Sequence, residues 1–245
     1  ANMGFYRGPK IVTDGLVLAL DAASKRSYPG TGTTWYDLSG NNYHLTLNSA
    51  AVWNNAGGAS YMDFENGIAK YLPGGTLTDI PGTGGIGTIC IYSTIKAPDT
   101  DWKTLTRAAV GGDHNVIINA GDGVSLGMYD NSGATGFNDS GYDVSSIPDR
   151  TTQFHYMVWR LSNTDPYYRF YYDDNLSSPV AQITASTAEF DNGFASVGAY
   201  HNSSSSPTSF SQEFGKMAMF IYYDRHLTDN ELRQNYNAFK GRFGL

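Results

Sequence analysis

Short runs of β-branched and aromatic residues, each closed off by glycine, asparagine, aspartate, serine or proline, recur along nearly the whole 245-residue chain. A chain punctuated this way has little room for long helices and must pair its strands with one another. The spacing predicts strands over Gly15–Asp21, Ser60–Phe64, Thr88–Lys96, Thr104–Val110, Val116–Ile118, Val124–Tyr129, Phe154–Leu161, Tyr167–Tyr172, Ser196–Tyr200 and Lys216–Tyr223. Between two of them lies Asn119-Ala120-Gly121-Asp122-Gly123, whose residues tolerate positive φ and so read as a hairpin turn. A single helix is signalled, at the C-terminal end. Thr228-Asp229-Asn230-Glu231 has the spacing of a capping box, Leu232, Tyr236 and Phe239 follow as one apolar stripe, and Gly241 is the expected stop. Many short strands with one terminal helix predict an all-β, antiparallel sandwich; a barrel fits the same pattern.

Composition removes several function classes. Only 16% of residues are charged, against roughly 25% in an average soluble protein, and the formal net charge is −7. The basic groupings are Lys25-Arg26 and Lys240-Gly241-Arg242, too sparse for a phosphate-neutralising face, so neither nucleic acid nor an acidic membrane surface is an expected partner. One cysteine excludes an internal disulfide framework. The longest early apolar run, Leu16–Leu20, falls far short of a membrane span. The opening residues hold no signal-peptide core, and the expectation is synthesis in a cytoplasm without membrane insertion.

Two segments carry more specific information. The first runs from Asp14-Gly15-Leu16-Val17-Leu18-Ala19-Leu20-Asp21 to Trp35-Tyr36-Asp37-Leu38-Ser39-Gly40-Asn41, and the second from Phe220-Ile221-Tyr222-Tyr223-Asp224-Arg225-His226-Leu227 to Glu231-Leu232 and Phe239. Both resemble the concanavalin A-like (laminin-G-like) lectin/glucanase superfamily, in the form found in virion proteins of tailed, often marine, bacteriophages. The resemblance implies a jelly-roll β-sandwich over residues 11–245, preceded by an arm at 1–10. It implies that Arg225, Leu227 and Glu231 belong to a fold signature with no ligand of its own. Members of this superfamily bind sugars or proteins, hydrolyse glycans, or decorate virions, so the fold leaves function open.

Catalytic constellations are sparse. The chain has Glu65, Glu189, Glu213 and Glu231. Only Glu189-Phe190-Asp191 begins the one-faced acidic pattern a laminarinase-like glycosidase would need, and no second glutamate follows. Cys90 lies within an apolar strand, and the histidines show no zinc or metalloprotease spacing. Sugar binding asks for aromatic platforms beside amide and carboxylate groups. Trp102, with Asp113-His114-Asn115 and Tyr129-Asp130-Asn131, supplies the candidates. Calcium is a candidate ligand at Asp113, Asp122 and Asp130, although aspartate beside glycine also simply forms turns. Phe5, Tyr6 and Arg7 on the arm are candidates for docking onto another protein.

The resulting expectation is a non-enzymatic virion module of a tailed phage: capsid decoration, a head or tail appendage, or host-surface adhesion. Its partners would be other virion proteins and, as a candidate, a host-surface glycan. The alternative is a carbohydrate-binding lectin domain of a cell-surface or secreted protein; a glycoside hydrolase comes third.

Overall fold

The computed structural model describes residues 10–47, 52–64, 70–71, 86–107, 113–131, 135–184, 196–198 and 211–245. The arm candidates Phe5, Tyr6 and Arg7 lie outside these residues, as do Glu65 and Glu189. In chain order the strands are β1 (Leu16–Asp21), β2 (Thr34–Trp35), β3 (Leu45–Leu47), β4 (Val52–Asn54), β5 (Tyr61–Asp63), β6 (Lys70–Tyr71), β7 (Gly87–Ser93), β8 (Trp102–Arg107) and β9 (His114–Ile118). They continue with β10 (Ser125–Asp130), β11 (Gly136–Asp143), β12 (His155–Leu161), β13 (Tyr168–Tyr172), β14 (Ala181–Ile183), β15 (Ser196–Val197), β16 (Ser211–Glu213) and β17 (Met217–Tyr223), followed by the helix α1 (Asp229–Phe243).

The strands form two sheets, as the pattern predicts for a sandwich. The first has the order β14-β13-β12-β7-β17-β5-β4, with β1 also paired to β17; the second has the order β11-β10-β9-β8-β15-β6-β3-β2, with β16 also paired to β8. Pairing is antiparallel except between β16 and β8. The main core lies between the sheets, where Ile89, Ile91, Trp159, Phe170 and Phe220 of the first meet Trp35, Leu45, Leu105, Val116, Ile118, Leu126 and Met128 of the second. Along β7, β12 and β17 every residue is buried. Both faces of those central strands are covered, so their sequences read as continuous apolar runs without alternation.

A second core explains this. It lies on the outer face of the first sheet, where Tyr92, Tyr156, Val158, Ile221 and Tyr223 pack against Leu232, Tyr236 and Phe243 of α1. The helix thus lies across the face of the sheet. Tyrosine suits this interface because its ring is apolar while its hydroxyl needs a partner. Tyr92 donates to the Tyr236 carbonyl at 2.9 Å and Tyr156 to the Leu232 carbonyl at 3.1 Å. The Tyr223 hydroxyl donates to the Val12 carbonyl and accepts from Asn235. α1 also runs past Gly241; the left-handed residue that ends it is Gly244, at φ 72°.

The two motifs that carry the resemblance are structural. In the first, the buried Asp37 carboxylate accepts backbone N–H groups from Ala19, Ser39 and Tyr43, while Ser39 and Asn41 donate to the Val17 carbonyl. The loop therefore satisfies the free edge of β1, which would otherwise invite pairing with another chain. In the second, both halves of the capping box form, and Arg225 makes a fork to Glu231 at 2.6 and 2.9 Å. The Arg225 guanidinium holds the Glu231 carboxyl at about 2, against its usual 4.5. A carboxylate with a depressed folded-state pKa stabilises above its ordinary pKa and loses that contribution as pH falls through the depressed value. Glu231→Gln is expected to cost about 1–2 kcal/mol at neutral pH, after allowing for solvent screening. The gap to wild type should close between pH 4.5 and about 2 in chemical-denaturation curves.

Candidate functional site

The half of the second sheet formed by β8, β9, β10 and β11 gathers the candidates on one surface. In register, Tyr129 of β10 stands opposite His114 of β9 on one side and Phe137 of β11 on the other. Directly opposed residues share a face, and the neighbouring Met128 belongs to the inter-sheet core, so these rings lie on the outer face. Trp102 reaches them from β8. Its ring meets Tyr129 edge-on at 5.2 Å and Phe137 at 5.7 Å. All three aromatic side chains are half-buried. Gly127 makes the arrangement possible. A Cβ there would strike the Asn138 carbonyl oxygen and come within 2.9 Å of the Phe137 ring. The missing side chain is the space into which that ring folds.

Polar groups hold the platform from behind. Lys103, next to Trp102, is fully buried, and its ammonium donates to Asp99 at 2.6 Å and to the Asp101 carbonyl at 3.2 Å. Burial works to raise the Asp99 carboxyl, but the Lys103 ammonium and the Asp101 N–H outweigh it and hold the group below the usual carboxylate range. The tip of the β9–β10 hairpin rests on the same loop: a Cβ on Gly123 would come within 2.8 Å of the Asp99 carbonyl oxygen. The start of β8 is thereby fixed at three points, which sets the angle of the indole.

The candidate residues from sequence separate by depth. Trp102 and Tyr129 keep a partly open face, and Asn131 is exposed. Asp113, His114, Asn115 and Asp130 are buried. The Asp113 carboxylate accepts the Asn131 N–H at 2.8 Å, which ties the start of β9 to the end of β10. Asp130 accepts the Thr135 hydroxyl at 2.7 Å. His114 shares a hydrogen bond with the Thr104 hydroxyl at 3.0 Å. Burial, with Arg107 nearby, pushes its ring down to about 3, so it is neutral at physiological pH.

Sequence reading missed Phe137, which Asn138 follows in β11. They lie in Gly136–Asp143, a stretch so rich in Gly, Asn, Asp and Ser that it resembles a loop; the lone signal was the pair Phe137 and Tyr142. Asn138 stands opposite the core residue Met128, on the face away from the rings, and its amide donates to the Gly136 carbonyl and the Thr135 hydroxyl.

The calcium candidates do not share a site. Asp122 sits in the β9–β10 turn, where it accepts the Val124 and Ser125 N–H groups. Asp113 and Asp130 lie at the far ends of those strands, roughly 20 Å away at strand rise. Among the described residues no group of three or more His, Cys, Asp or Glu side chains could hold a metal ion. Of the acids considered for hydrolysis, Glu213 is buried and accepts the Phe64 N–H at 2.8 Å, while Glu231 is held by Arg225. Cys90 is fully buried, which pushes its thiol up to about 12. Among the described residues no helix is long and apolar enough to cross a membrane.

Comparison with known proteins places this architecture. No family model matches the chain, and no curated protein matches its sequence. Solved structures do. Trypanosoma rangeli sialidase in complex with sialic acid aligns over 92% of this chain and 33% of its own, with 14% identity and a TM-score of 0.56. The binding domain of botulinum neurotoxin DC in complex with SialylT aligns over 93% and 52%, with 11% identity and a TM-score of 0.60. The same domain in complex with rat synaptotagmin II gives 10% identity and a TM-score of 0.58. The chain spans about a third of the sialidases and about half of the toxin domain. At such identities the likeness establishes one thing, a shared β-sandwich fold with these proteins.

Proposed function

We propose that this chain is a non-enzymatic binding module that holds carbohydrate on the Trp102–Tyr129–Phe137 platform. The observation that carries this reading is the meeting of three half-buried rings from three strands, with the exposed Asn131 following Tyr129 and Asp130 at the end of β10. Aromatic faces cover the apolar C–H face of a sugar ring, and amides supply donors and acceptors for its hydroxyls. Supporting polar groups are held in hydrogen bonds behind the rings, as a preorganised site requires. The fold agrees with the reading, since structures of similar architecture carry sialic acid and SialylT.

Within that function, the two motifs resembling phage virion proteins favour a place on a virion as a decoration or adhesion module. A lectin domain on a cell surface or in a secreted protein would use the same platform. The test is a glycan array probed with wild type and Trp102→Ala, with and without calcium. Wild type should bind at least one glycan class, and Trp102→Ala should lose roughly tenfold or more, as for an aromatic hot spot worth about 2 kcal/mol. Silence of the wild-type protein across the array would end the proposal.

A further inference from the structure

The outer face of the first sheet carries a feature that the platform does not use. Arg160 of β12 and Arg169 of β13 stand directly opposite each other. Their sequence neighbours Trp159 and Phe170 point into the inter-sheet core, so both arginines point away from it, beneath the start of α1. Like charges in directly opposed positions destabilise a sheet. Here they line a cleft of about 570 Å³ together with His226, Thr228, Asp229 and Asn230, a volume within the usual range of ligand sites.

The two guanidinium groups differ in what they already hold. Arg160 is buried; it donates to the Tyr171 hydroxyl and to Asp229, each at 2.8 Å, and lies over the Tyr171 ring. Arg169 has no carboxylate partner among the described residues. Its hydrogen bond runs from Nη2 to Nδ1 of His226, at 3.3 Å. His226 donates from Nε2 to the Leu161 carbonyl at 2.7 Å, so its Nδ1 is the acceptor and the ring is neutral. Burial lowers its pKa, and the two arginines lower it further against the pull of the Leu161 carbonyl. The Nε atoms of both arginines are buried without a hydrogen-bond partner. The capping box uses the N–H groups of Thr228 and Glu231, which leaves those of Asp229 and Asn230 at the positive end of the helix dipole.

We propose that this cleft binds the singly charged oxyanion of an acidic sugar, a carboxylate or a sulfate ester, with Arg169 as its anchor. Two guanidinium charges against the one Asp229 carboxylate leave a single positive charge for the ligand to neutralise. A doubly charged phosphate would meet Asp229 with charge to spare. The guanidinium edge matches a planar carboxylate through paired N–H groups, while the Asn230 amide is placed for ring hydroxyls. The inference takes from the preceding proposal only that the ligand is a sugar; the cleft and the platform lie on opposite faces of the sandwich.

The test is calorimetric titration of the purified chain with a galacturonate trisaccharide, the neutral galactose trisaccharide, 6-sulfated galactose, acetate and inorganic sulfate. Wild type, Arg169→Gln, Arg169→Lys and Trp102→Ala are compared, each first shown to melt within a few degrees of wild type. The acidic sugars should bind wild type and lose tenfold or more in Arg169→Gln, with partial recovery in Arg169→Lys and no loss in Trp102→Ala. Carboxylate against sulfate ester is read from which sugar binds more tightly. Binding of any sugar to the platform should instead fail in Trp102→Ala and persist in Arg169→Gln, so either proposal can fail alone. Equal affinity of wild type and Arg169→Gln for both acidic sugars overturns the cleft proposal, as does acetate or inorganic sulfate binding as tightly as the sugars that carry the same group.

Discussion

Gly215→Ala is expected to destabilise the protein by more than about 4 kcal/mol, in the extreme tail of single substitutions. Gly215 lies between β16 in the second sheet and β17 in the first, and it crosses the segment that leads from β7 in the first sheet to β8 in the second. Two inter-sheet crossovers therefore touch at this point. They are bound backbone to backbone, from Thr94 N–H to the Lys216 carbonyl at 3.0 Å and from Lys96 N–H to the Phe214 carbonyl at 2.8 Å. A Cβ on Gly215 would strike the Thr94 carbonyl oxygen and come within 2.6 Å of its carbon. Neither is a flexible side-chain end, so one crossover must move and break its ladder. The segment that would move ends at Asp99 and Trp102, so the platform should loosen with the fold. Gly241 is the control: it is helical and nothing lies within 4 Å of its Cβ position. The same change there should raise stability by about 0.5–1 kcal/mol. Urea denaturation of both variants is the measurement, and a loss under about 1 kcal/mol at Gly215 would show that the crossing is not rigid.

Trp159→Ala is expected to cost about 3–5 kcal/mol. The indole is fully buried at the centre of β12, stacked on Phe170 at 5.0 Å and edge-on to Phe214 at 5.9 Å. Its truncation leaves a cavity between two sheets whose crossovers prevent collapse. A second cost adds to the first. The indole Nε1–H donates to the Tyr168 hydroxyl at 2.7 Å in a fully buried place, and the hydroxyl would lose that partner. Trp159→Phe should cost less, because it keeps most of the stacking and leaves a smaller void. Equal costs for the two variants would assign the loss to the hydrogen bond and not to packing. Arg160 follows in sequence on the other face, so Trp159→Ala should also weaken acidic-sugar binding.

Much of the first sheet was legible from local pattern. β7, β12 and β17 are long, apolar and bounded by Gly, Pro or polar residues, and they appear within a few residues of their expected limits. The β9–β10 turn forms where Asn119–Gly123 predicts it, with Gly123 at φ 72°. The capping box at Thr228 forms in full. Strands of two or three residues, such as β2, β3, β6 and β14, are too short to show a period. β11 is an edge strand of turn-forming residues with several positions exposed; it is a strand because β10 supplies its hydrogen-bond partners.

The sequence alone determined where chain can be strand and where helix begins, because φ preferences, apolar runs and capping chemistry act within a few neighbouring residues. It also placed Trp102, Tyr129 and Asn131 as surface candidates. Only the tertiary structure decided that Phe137 completes the platform, that Asp113, His114, Asn115 and Asp130 are buried, and that Arg160 faces Arg169 under the start of α1. Those facts depend on register and strand order. They are set by contacts between segments far apart in the chain, where a shift of one residue would turn every side chain to the opposite face.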